Sequence, residues 1–123
     1  ASDVYKRQPY VSWNAINYYA FGIPSIEFMD ELYGHFQTLC LQKSHAGEKE
    51  IVDHLQQLGA NSSLQWNDNR KPGISRNIPI SVYVRNSVHH PENNLNKRYT
   101  NEQLSLAIQE LESAIHTWIS KKK

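Results

Sequence analysis

The stretch Ile80-Ser81-Val82-Tyr83-Val84-Arg85-Asn86-Ser87-Val88-His89-His90-Pro91-Glu92-Asn93 decides how this chain is read. Ile80, Val84 and Val88 recur every four residues with Tyr83 beside them, the stripe of a helix that buries one face. Arg85 and His89 then stand one turn apart, as do Asn86 and His90. Pro91 disfavours helical backbone at the residue before it, so the helix is predicted to stop and leave His90 at its end. A histidine there is favoured as a cation by the helix dipole.

A permanent cation, an amide and two histidines at a helix end are the parts of a phosphate-handling site. The chemistry that suits them is cleavage of RNA by its own 2′-hydroxyl. A base removes the hydroxyl proton, the oxygen attacks phosphorus in line, and an acid protonates the departing 5′-oxygen, leaving a 2′,3′-cyclic phosphate. A histidine titrating near ~6.5 serves either role, each worth about 10²–10⁴ in rate. Arginine supplies fixed charge and forked donors to the phosphate. One histidine cannot stand on both sides of phosphorus, so a homodimer with a shared site is expected. The same residues also suit a purely structural end, with a histidine bonding the last carbonyls and Arg85 pairing with an acid.

The pattern Arg85-Asn86-x-x-x-His90 resembles the R-x4–6-H motif of HEPN domains, compact helical bundles that often act as metal-independent endoribonucleases. The wider string, with Pro91-Glu92-Asn93 and then Tyr99-Thr100, is similar to the C-terminal domain of some ATPase-coupled anticodon nucleases and related phage-defence proteins. The resemblance spans Ile80 to about Lys121, and Ile26 to Leu58 only as generic helices. It implies an all-α, HEPN-like bundle of four to five helices. It also implies Arg85 and His90 as catalytic residues, Asn86 as the supporting polar position, RNA (tRNA included) as substrate, and no cofactor. His89 falls outside the spacing and is carried as an additional catalytic candidate. The alternative is a non-catalytic dimerisation or regulatory module of a P-loop ATPase.

Composition bounds these readings. A length of 123 residues suits one domain. Thirteen basic and twelve acidic residues give a net charge of +1, which makes no global case for nucleic acid. The distribution says more. Between Asn69 and Arg98 the basic residues Arg70, Lys71, Arg76, Arg85, Lys97 and Arg98 face only Glu92, whereas Ser25 to Leu58 is acidic. Arg70, Lys71, Arg76, Lys97 and Arg98 are therefore the RNA-binding candidates. Cys40 is the single cysteine, which excludes an internal disulfide and makes the cytoplasm the default compartment. Its neighbours Phe36 and Leu39 predict apolar packing. No apolar run approaches the roughly 18 residues of a membrane helix, so no membrane partner is expected. His35, His45, His54 and His116 lack metal-ligand spacing, so no metal is expected.

Residues 1–8 resemble translated sequencing-adapter DNA and are expected to be a non-native leader, with 9–123 as the helical domain and the C-terminal piece of a longer protein. No G-x-x-x-x-G-K-S/T loop occurs, so an ATPase would lie upstream. Along the chain, Tyr10 to Phe21 is predicted helical until Gly22 and Pro24, and its aromatics suit core packing or RNA stacking. Ser25 caps a helix to about Gln42, and Glu48 to Leu58 forms another, ended by Gly59. Ala60 to Pro79 reads as one long polar loop with Trp66 as its anchor. Thr100 and Gln103 open the last helix as a capping box, with Leu104, Ile108, Leu111, Ile115 and Trp118 on its stripe.

Overall fold

The computed structural model describes residues 12–71 and 73–122, so the leader assigned to residues 1–8 and the predicted start at Tyr10 lie outside the described residues. Among the described residues five helices and one hairpin follow in the order α1 (Trp13–Phe21), α2 (Ile26–Cys40), α3 (Glu48–Gln57), β1 (Leu64–Asn67), β2 (Ser75–Ile78), α4 (Ile80–His89) and α5 (Asn101–Lys121). The chain is mostly helical. It is not all-α, because the expected polar loop contains β1 and β2.

Local chemistry sets the helix ends. The hydroxyls of Ser12 and Ser25 accept from the N–H groups of Ala15 (3.0 Å) and Phe28 (3.1 Å), satisfying donors that the first turn leaves open. Gly22 closes α1 in the left-handed region at φ 67°, where a side chain would be strained. The capping box of α5 is complete: Thr100 Oγ1 accepts from Gln103 N–H at 3.1 Å, and Gln103 Oε1 accepts from Thr100 N–H at 2.9 Å.

The core lies around α5, which packs against α2 and α4, with α1 laid on α2 and β1 on α4. Phe28, Met29, Leu32 and Phe36 of α2 are fully buried, as are Ile108, Leu111 and Ile115 of α5, the four- and three-residue spacing of each helix aligning them on one side. Cys40 is buried among them as a small apolar group. Burial alone pushes its thiol up to about 12.

The hairpin is antiparallel, pairing Leu64 with Ile78, Gln65 with Asn77, Trp66 with Arg76 and Asn67 with Ser75. Side chains alternate across a strand, so Leu64, Trp66, Arg76 and Ile78 share the inward face. Trp66 is buried, with its ring edge-on to Tyr83 at 5.4 Å, the anchor expected of it. Two four-residue strands within an Asn/Ser/Gly/Pro-rich background are too short for their alternation to stand out. The segment after α4 clamps the hairpin. Asn93 Nδ2 and Asn96 Nδ2 each donate to the Asn67 carbonyl at 3.0 Å, and Asn67 N–H donates to Asn96 Oδ1 at 2.8 Å. Tyr83 donates its hydroxyl to the Lys97 carbonyl at 2.6 Å, fixing the other end of that segment.

Candidate active site

Helix α4 places the motif. Its start carries no side-chain cap on Pro79, and Glu110 of α5 supplies one instead, accepting from Ser81 N–H at 3.0 Å and Ser81 Oγ at 2.6 Å. Its end is His90, at φ −128° and ψ 63°, outside the helical region as Pro91 requires. His90 N–H still donates to the Asn86 carbonyl at 2.9 Å, so the ring stands on the last turn of the helix. Its Nδ1 lies 3.4 Å from Glu92 Oε1, with both side chains partly exposed.

Successive residues of a helix are about 100° apart, and α4 accordingly divides its motif between two sides. On one side, His90 and Asn86 line a polar cavity of about 160 Å³ together with Glu48, Arg70, Arg76 and Asn93. Asn86 is buried and donates Nδ2 to Glu48 Oε1 at 2.9 Å. Arg76, brought inward by its register opposite Trp66, donates Nε and Nη2 to the two oxygens of Glu48 at 2.5 and 2.9 Å. Its Nη1 lies 3.7 Å from Asp68. Burial pushes the Glu48 carboxyl up, but the bonds from Arg76 and Asn86 outweigh it and hold the group below its ordinary value.

On the adjoining side, Arg85 and His89 face α2. The Arg85 guanidinium sits over the Tyr33 ring, 4.4 Å from its centre. Among the described residues Arg85 makes no ion pair and donates no hydrogen bond, so a ring holds the cation while its forked donors stay uncommitted. Burial pushes the Tyr33 hydroxyl up to about 12, against the Arg85 charge and with that of Glu48, so the phenol is neutral at any working pH. Asp30, one turn before Tyr33, is raised by burial, with the charges of His89 and Arg85 pulling it back.

The sequence-predicted residues thus fall into three groups. Asn86, His90, Arg70 and Arg76 meet at the cavity, where Arg76 is already paired with Glu48 and Asp68. Arg85 and His89 meet beside it against Tyr33 and Asp30. Lys71, Lys97 and Arg98 do not line the cavity; Arg98 stacks on its neighbour Tyr99 at 4.9 Å. Glu48, Tyr33 and Asp30 carry no signal of their own, since an acid at the start of α3 or α2 reads as a response to the helix dipole. Among the described residues no three His, Cys, Asp or Glu side chains are grouped to hold a metal ion. No helix is long and apolar enough to cross a membrane, again among the described residues.

No protein-family model, curated protein or solved structure matches this chain.

Proposed function

We propose that this chain is a metal-independent endoribonuclease domain of HEPN type, cleaving RNA, tRNA included, by 2′-hydroxyl attack in a toxin or phage-defence setting. The observation that carries the reading is Arg85, a guanidinium seated on the Tyr33 ring with, among the described residues, no carboxylate within 4 Å, five positions before His90, the cap of its helix. Asp30 acts on it only through charge, so its forked donors are open to a phosphate oxygen. His90, with Glu92 beside it, provides one proton-transfer group, and Arg70 lining the cavity provides a second cation for the chain of phosphates. The reaction needs a second proton-transfer group besides His90, from a second copy or from the same chain.

A different reading draws on another observation. Asn86 is spent on Glu48, and Trp13, Phe21 and Ile23 of the α1 region are 79%, 72% and 52% exposed, an apolar surface suited to contact with an upstream ATPase. On that reading the motif only locks α4 to α3, and the chain is a docking and regulatory module.

Incubation of total tRNA with the purified chain in EDTA separates the two. The nuclease makes 2′,3′-cyclic ends that disappear in His90→Ala. The module makes none, and His90→Ala alters only stability or assembly.

A further inference from the structure

We infer that a cavity at the start of α4 is a binding site for a small organic cation with an apolar body, an alkyl- or arylalkylamine, held on the Glu110 carboxylate. The site is independent of the RNA-cleavage reading and lies at the opposite end of α4 from His90.

The cavity has a volume of about 560 Å³, against about 160 Å³ for the polar one at His90. That is within the roughly 300–1,000 Å³ of small-molecule sites. Its walls come from the end of α3, β1, the start of α4 and one side of α5. Leu58, Leu64, Ile80 and Leu106 make them largely apolar, and a few polar groups, Ser63, Gln109, Ser113 and Glu110, reach the same space. An apolar enclosure with a small number of convergent polar groups is the composition of a ligand site. Leu106 separates it from ordinary core. This residue lies off the buried stripe of Leu104, Ile108 and Leu111 and is 45% exposed, so solvent reaches the cavity past an apolar side chain.

Charge selects the ligand. Glu110 is the one charged side chain among the described residues that line the cavity, and no basic one lines it. Ser81 donates to its Oε1 from N–H and from Oγ, at 3.0 and 2.6 Å, and the Ile80 N–H adds a third bond. All three donors are neutral, and among the described residues Glu110 makes no ion pair. A carboxylate has about four acceptor sites, so one remains for a ligand. The end of α3 acts in the same direction. Leu58 and Gly59 line the cavity where a helix leaves its last carbonyls without helical partners and carries partial negative charge. The N–H groups at the start of α4 offset only part of a whole charge. An anion is repelled, a neutral molecule gains apolar burial alone, and an ammonium on an apolar body gains both burial and a charge-assisted bond. Burial holds the Glu110 carboxyl above its ordinary value, which agrees with a carboxylate that has no cation beside it.

Phenethylamine and 2-phenylethanol share one apolar body and differ in the charged group, so they are the probes. Each is titrated at neutral pH into the isotope-labelled full chain and into Glu110→Gln, which keeps an oxygen for Ser81, and backbone amide shifts are followed by NMR. Thermal melting verifies that the variant is folded. The amine should move the amides of Gly59, Ser63 and Ser113 to saturation, and that of Ser81 with them, because Ser81 shares the carboxylate. The alcohol should bind the parent at least about tenfold more weakly than the amine does, and the amine should lose as much on Glu110→Gln. Shifts that do not saturate, or that saturate only away from the cavity, overturn the inference. So does an alcohol that binds as tightly as the amine, and so does undiminished binding of the amine by folded Glu110→Gln. The comparison of amine with alcohol uses the parent alone, so it decides the matter without the variant. None of these outcomes bears on cleavage of RNA.

Discussion

Asn86 Nδ2 donates to Glu48 Oε1 at 2.9 Å, joining positions 38 residues apart and tying the motif helix to the start of α3. The same carboxylate carries Arg76 of β2, so three elements meet on one side chain. Glu48→Ala leaves the buried Asn86 amide without its acceptor, which costs about 1–3 kcal/mol, the partly exposed Arg76 pair adding little. A clear fall in Tm is expected, with a smaller one for Glu48→Gln, which keeps an acceptor for Asn86. The pH sign is fixed by the lowered carboxyl. Stability from the ionised group is complete above the ordinary value of 4.5 and is lost as pH falls through the lower folded value. The parent's advantage over Glu48→Gln should therefore shrink in melts run at progressively lower pH; an advantage independent of pH would contradict the assignment.

Glu110 has the opposite sign. Burial raises its carboxyl, against the bonds it accepts from Ser81 and Ile80. A group raised in the fold stabilises below its unfolded value of 4.5, and that contribution is lost as pH rises through the folded value. Glu110→Gln keeps an oxygen for Ser81 and removes the buried charge. The variant should gain on the parent in Tm at neutral pH, and the gap should close in acid. A variant less stable than the parent at neutral pH would show that the charge on the α4 cap outweighs its burial.

Cys40 should be inert in the native protein. Its thiol, pushed up to about 12 by burial, carries almost no thiolate at neutral pH. An aromatic disulfide reagent is expected to titrate it only after denaturant is added, and rapid labelling of the folded chain would place the thiol at an opening of the α2 packing.

Arg85 separates stability from activity. Its stacking on Tyr33 is worth about 0.5–1 kcal/mol for a partly exposed pair, so Arg85→Ala should melt within a few degrees of the parent while losing cleavage. Arg85→Lys keeps the charge but not the fork, and should recover only part of the rate. A large fall in Tm with unchanged cleavage would make Arg85 a structural clamp.

Much of the fold was legible because its signals are local. The capping box at Thr100 and Gln103, Ser25 before the acidic first turn of α2, and Pro91 after His90 each act within a few residues, and each helix ends within two residues of where those signals place it. The hairpin was not legible. Its four-residue strands owe their place to contacts distant in sequence: Trp66 on Tyr83, and Asn93 and Asn96 on Asn67. For the same reason Arg76 looked like a free cation. Only its register opposite Trp66 turns it inward to Glu48. Sequence spacing put Arg85, Asn86 and His90 on one helix but did not reveal that α4 divides them between two sides, with Tyr33 on one and Glu48 on the other.

Cleavage of total tRNA in EDTA by the parent and by His90→Ala, with chemical identification of the new ends, bears most directly on the central claim. The account predicts 2′,3′-cyclic phosphate ends from the parent and none from the variant, both chains melting alike. A folded parent that leaves tRNA intact, or a His90→Ala chain that cleaves as fast as the parent, would contradict it.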